Sequence, residues 1–186
     1  SAISGATTEA AGTATFTVVL TSEPTSDVTV GVSSSDTGEG TVNTASLVFT
    51  DSNWASAQTV TVSGVNDDID DGDQAYNIVL AAATSSDSNY NGVNPDDVSV
   101  SNTDNNTAGF TVSAISGATT EAAGTATFTV VLTSEPTSDV TIGVSSSDTG
   151  EGTVSTASLV FTAGNWNTPQ TVTVTGVNDD IDDGNQ

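Results

Sequence analysis

The sequence predicts an all-β protein made of tandem β-sandwich domains. Three observations lead there. The first is an internal repeat: residues 1–74 return at 113–186 with 65 of 74 positions unchanged, an offset of 112 residues. A unit of that length is a domain in an array, not one turn of a solenoid. The second is a series of short segments in which apolar and polar residues alternate, the period of a half-buried strand. The third is composition. The chain is rich in Thr, Ser, Val, Gly, Ala and Asp, which favour strands and turns over helices.

Taken in order, Ala14–Leu20 (ATFTVVL) alternates and then turns apolar, and is strand B. Asp27–Ser33 (DVTVGVS) is strand C, and Ala45–Thr50 (ASLVFT) is strand D. Gln58–Val65 (QTVTVSGV) is strand E, Gln74–Ala82 (QAYNIVLAA) strand F and Asp97–Ser101 (DVSVS) strand G. Gly109–Ser113 (GFTVS) supplies strand A of the second copy. The Pro and Gly clusters fall between these runs, where turns need them. Seven short strands per 112-residue repeat, evenly punctuated, describe an immunoglobulin-like β-sandwich. The expected domains are residues 1–105, carrying strands B to G with strand A ahead of Ser1, and residues 106–186, carrying strands A to E with F and G beyond Gln186.

Charge narrows the function. The chain has 24 acids, no Lys, Arg or His, and a formal net charge of −24. No side-chain ion pair can form, so each carboxylate is solvated, hydrogen-bonded or matched by a bound cation. Nucleic acid is excluded as a partner, because phosphate recognition rests on Lys and Arg. Membrane insertion is not expected either, since no apolar run is long enough to span a bilayer. The lack of Cys removes disulfides and thiolate metal sites. The lack of Lys removes isopeptide crosslinks. With no initiator Met and no signal peptide, the chain reads as a mature or internal piece of something longer.

The acids are unevenly placed. Asn66–Asp73 packs five carboxylates into eight residues between strands E and F, and Asn178–Asn185 repeats the pattern. In an antiparallel sandwich successive loops alternate between the two ends. The A–B, C–D and E–F loops and the exit from strand G therefore share one end. That end receives Glu9, Asp36, Glu39, Asp67, Asp68, Asp70, Asp71, Asp73 and Asp104, nine of the fifteen acids in residues 1–105. A solvated acidic turn is the plain reading of one such run. Convergence from four segments favours a hard, oxygen-seeking cation, because Ca²⁺ takes six to eight oxygens that one loop does not easily supply.

These features together resemble the Calx-β domain family. The matching stretches are Thr8-Glu9 before strand B, Ala45–Phe49, Val60–Val65 followed by Asn66-Asp67-Asp68-Ile69, and Val98–Asp104. The resemblance implies Ca²⁺ as cofactor, held by the A–B region, the C–D and E–F loops and the acidic tail after strand G. Carried over to this chain, it implies Glu9, Asp67, Asp71 and Asp104, with Asp36 or Glu39 from the C–D loop, and Asp68 of the same acidic run joins them as a candidate ligand. In the second copy the set is Glu121, Asp148, Asp179, Asp180 and Asp183. Two departures reduce the ligand charge. The triple acid expected after strand G is Asn102-Thr103-Asp104, and Gln74 stands where a closing Glu is common.

Other residues have structural readings. Tyr76 fits a buried tyrosine with a bonded hydroxyl. Trp54 and Trp166 fit caps on the core rather than ligand platforms. Asn105-Asn106-Thr107 is a formal glycosylation sequon, a weak pattern alone. Catalysis is not expected: nucleophile activation usually needs a His, Lys or other base, and the carboxylates are crowded on loops without an apolar pocket.

The resulting expectation is a calcium-binding structural repeat of an extracellular adhesin stalk or surface fibre. Its partners would be calcium, the neighbouring repeats of the same chain, and identical chains or a cell-surface ligand. Two alternatives stay open: a filament subunit assembled by strand exchange between chains, and an adhesin module binding a ligand or glycan. Near-identity of the copies favours a spacer over a recognition head.

Overall fold

The structure is a computed structural model, and it describes residues 1–178. The described chain is all-β, with fifteen strands and no helix. Two compact units emerge, one from Ser1–Asp67 with Asp71–Asn105, the other from Asp68–Asp70 with the chain from Asn106 onward.

The first unit holds β1 (Thr7–Thr8), β2 (Thr13–Val18), β3 (Val28–Ser34), β4 (Gly40–Val42), β5 (Ser46–Phe49), β6 (Gln58–Gly64), β7 (Gln74–Leu80), β8 (Thr84–Ser85) and β9 (Val98–Thr103). One sheet runs β1-β9-β7-β3-β5, with β8 also on β3, and the other runs β2-β6-β4. Alternation places Phe16, Val60 and Val62 of the smaller sheet against Val28, Val30, Leu47, Phe49, Ile78 and Val100 of the larger one. These side chains are buried and form one core. The β2–β6 ladder runs from Thr13↔Ser63 to Val18↔Gln58 and the β7–β9 ladder from Gln74↔Asn102 to Ile78↔Val98, all antiparallel.

Three elements lie outside the seven expected strands. β4 continues the smaller sheet through Gly40↔Gly64 and Val42↔Val62. β8 adds two residues beside β3. β1 pairs parallel with β9, through Thr7↔Asn102 and Thr8↔Thr103. Just before β1, the Ser4 N–H donates to the Thr15 carbonyl of β2 at 2.9 Å. The leading segment thus crosses from one sheet to the other. It closes the sandwich at the end where the acids gather.

The second unit holds β10 (Phe110–Val112), β11 (Thr125–Leu132), β12 (Val140–Gly143), β13 (Gly152–Val154), β14 (Ser158–Phe161) and β15 (Gln170–Gly176). Its sheets run β10-β11-β15-β13 and β12-β14. Val130, Leu132, Leu159, Phe161 and Val172 form the core, with Trp166 packed against it. Val140 and Ile142 are half-buried among the described residues. Asp68–Asp70 group with this unit: the Glu135 N–H donates to the Asp68 carbonyl, and the Ala108 N–H to Asp70 Oδ2, both at 2.6 Å.

Candidate metal centre

The site grows out of the β4–β6 ladder. Beyond Gly40↔Gly64 the pairing continues one step, with the Val65 N–H donating to the Glu39 carbonyl at 3.0 Å. This register sets Glu39 beside the start of the acidic run. Carboxylate oxygens of Glu39, Asp67 and Asp71 all lie within 4.8 Å of one another.

Glu9 forms the next wall. It follows β1, and its own N–H donates to the Thr103 carbonyl at 3.1 Å. Its side chain is 4% exposed, and Oε2 accepts the Asn105 N–H at 3.1 Å. Burial pushes its pKa up. The Asn105 hydrogen bond opposes that rise, and the negative charges of Asp104, Asp67 and Asp71 add to it. Glu39 is likewise raised, first by burial and then by repulsion from Asp71, Asp67 and Asp36, against a lowering hydrogen bond from Asn102.

The tail after β9 is stitched to the acidic run. Asp104 Oδ2 accepts the Gly72 N–H at 2.7 Å, and the Asp104 N–H donates to Asp73 Oδ1 at 3.1 Å. Gly72 has φ of +75°, a left-handed conformation that favours glycine. Asn105 Nδ2 donates to Asn66 Oδ1 at 3.1 Å.

The residues named from sequence divide accordingly. Asp67 and Asp71 join Glu39 in the close group. Glu9 and Asp104 stand beside it within the same field of charge. Of the two C–D loop candidates, Glu39 enters the close group, while Asp36 Oδ1 accepts the Gly38 N–H at 2.9 Å within its own turn. Asp68 lies outside that group and groups with the second unit. In the second unit Glu121 is exposed, and Asp148 Oδ1 accepts the Gly150 N–H at 2.9 Å. Asp179, Asp180 and Asp183 lie outside the described residues.

Tyr76 is the buried tyrosine with a bonded hydroxyl that the sequence suggested, whereas Thr7 and the burial of Asn102 beneath the site were not anticipated. Asn102 is 1% exposed, and Thr7 and Tyr76 are buried beside it. A signal for Asn102 was present: Val98, Val100 and Asn102 are spaced by two, so strand period turns all three inward. Thr7 offered none, since a two-residue strand shows no alternation.

The donor set suits a hard cation. Two oxygens on one Ca²⁺, each about 2.3–2.6 Å from it, lie at most about 5 Å apart, and the close group meets that limit. All three donors are carboxylates, and no Lys, Arg or His exists to neutralise them.

A profile of the Calx-β domain matches residues 4–106 and again residues 101–186. The chain belongs to the Calx-β family. Among solved structures, the crystal structure of calcium binding domain CBD12 of CALX1.1 is similar at 15% identity, with a TM-score of 0.41 over 94% of this chain and 73% of that one. No curated protein matches the sequence. The two Calx-β copies coincide with the internal repeat, and the close carboxylate group lies in the first.

Proposed function

We propose that this chain is a calcium-binding structural repeat of a long extracellular stalk or surface fibre, stiffened by Ca²⁺ at the domain ends. One observation carries the calcium reading. Glu39, Asp67 and Asp71 crowd their oxygens within 4.8 Å, beside the buried Glu9, in a chain with no cationic side chain. Such crowding costs stability until a cation offsets it. Glu9, Glu39, Asp67, Asp71 and Asp104 would hold the ion, whose charge would draw the A–B turn, the edge of β4, the acidic run and the tail after β9 together. An ion bound only by the folded form stabilises it by RT ln(1 + [Ca]/Kd), about 2.7 kcal/mol at one hundred times Kd. Extracellular modules have Kd of roughly 10⁻⁴–10⁻³ M, which would make the array firm outside a cell and soft on calcium withdrawal. The stalk role draws on near-identity of the copies, which suits a spacer. No catalytic role is proposed. The test is calorimetric melting of the chain in excess calcium and in excess EGTA. A higher Tm in calcium is expected, and equal values would overturn the calcium reading.

A further inference from the structure

We infer that Asn102 is the positioning residue of this centre, aiming the Glu39 carboxylate at the cation through a buried polar string that begins at Tyr76. The inference rests on the calcium reading above and adds to it a residue that donates no ligand.

The string has a fixed polarity. Asn102 Nδ2 donates to the Val65 carbonyl at 2.9 Å and to Glu39 Oε2 at 3.3 Å. On its other side, Asn102 Oδ1 accepts from the Thr7 hydroxyl at 3.0 Å. Thr7 Oγ1 also lies 3.3 Å from the Ser101 carbonyl, and with its one proton turned to either of these acceptors it accepts from the Tyr76 hydroxyl, 3.0 Å away. Reversing the amide would aim its oxygen at a carbonyl and a carboxylate, three acceptors facing one another. The amide orientation therefore follows from chemistry alone. An aspartate here could donate to neither Val65 nor Glu39.

Packing holds the string in place. A Cβ on Gly64 would come 2.5 Å from Asn102 Oδ1, and one on Gly40 would strike the Tyr76 hydroxyl. These two glycines are paired across β4 and β6, next to the step that carries Glu39. The paired strands β4 and β6 thus confine both ends of the string and present the ligand. Asn102 is also the point where β1 joins β9, through Thr7↔Asn102. The residue that aims Glu39 therefore depends on closure of the leading segment that brings Glu9. Partners behind metal ligands fix ligand orientation, and losing one commonly costs 10–100-fold in affinity.

The test is calcium calorimetry on the whole chain and on Asn102→Ala, Asn102→Leu and Thr7→Val, with each fold checked by circular dichroism in EGTA. The Asn102 variants are expected to bind calcium about tenfold more weakly or worse, and Thr7→Val to follow in the same direction. A purely structural role would lower Tm in EGTA and leave the affinity of the folded variants unchanged. That result overturns the inference while leaving the calcium reading intact. No uptake by the parent chain would overturn both. Should the variants not fold, the parent chain answers by NMR. The Asn102 side-chain amide is expected to shift saturably with calcium, and an unmoved resonance at saturation would overturn the inference.

Discussion

The Glu9 carboxylate accepts the backbone N–H of Asn105 at 3.1 Å, joining residues 96 positions apart. The bond fastens the turn after β1 to the chain leaving β9 and leaves a buried acid facing Asp104, Asp67 and Asp71. A charge kept there without a counterion is a cost, and the same charge beside a cation is a gain.

Glu9→Gln should therefore change sign with calcium. Glutamine keeps an acceptor for the Asn105 N–H and removes the charge. In metal-free buffer the variant should be more stable than the parent by about 1 kcal/mol, a Tm rise of several degrees for a domain of this size. In saturating calcium it should be the less stable of the two. Scanning calorimetry under both conditions checks this, and a shift of the same sign in both would place Glu9 outside the ion's reach.

The pH dependence should rise and then fall in metal-free buffer. The folded-state pKa values of Glu9 and Glu39 are raised, so the folded chain binds protons more readily than the unfolded one. Their contribution to stability is fully present below the unfolded value and is lost as pH rises through the folded value. Acidification from neutral pH towards about 4.5 should therefore stabilise. Asp87 acts oppositely. Its carboxylate accepts the Thr25 and Asn89 N–H groups at 2.8 and 2.9 Å, and these bonds hold its pKa down. Its contribution is present above the unfolded value and is lost as pH falls below about 4. Glu9→Gln with Glu39→Gln should flatten the first limb, and Asp87→Asn the second, in Tm measured against pH. In saturating calcium the first limb should invert, because protons then compete with the ion.

Alanine at Gly40 should be costly. Gly40→Ala drives a methyl into the Tyr76 hydroxyl and should cost about 1–3 kcal/mol. Urea unfolding of the variant beside the parent chain checks this, and an unchanged midpoint and slope would contradict the close packing of β4 on Tyr76.

Ala11 and Ala123 carry φ of 62° and 58°, a left-handed conformation that strains a residue with a Cβ. Glycine at either position should add about 0.5–1 kcal/mol of stability, nearly additively for the pair. Denaturant melts of both single variants and the double variant would show it.

Strands B to G were legible because each is long enough for alternation to show, and β2, β3, β5, β6, β7 and β9 fall on those segments. β1, β4 and β8 were not, since two or three residues carry no period and their pairing depends on distant partners. The same holds at the site. The run Asp67–Asp71 announces itself by local charge, whereas the choice of Glu39 over Asp36 for the close group depends on the step after Gly40↔Gly64.

By itself the sequence determined the β architecture, the repeat, the lack of any cationic counter-charge and the end of the sandwich where acids collect. These follow from periodicity, self-similarity and loop alternation, all of which are local or countable. Only the tertiary structure decided which acids touch and what lies beneath them. Inter-strand register brings Glu39 to Asp67 and seats Asn102 under Glu39, and register is set by packing across the sandwich rather than by neighbours in the chain.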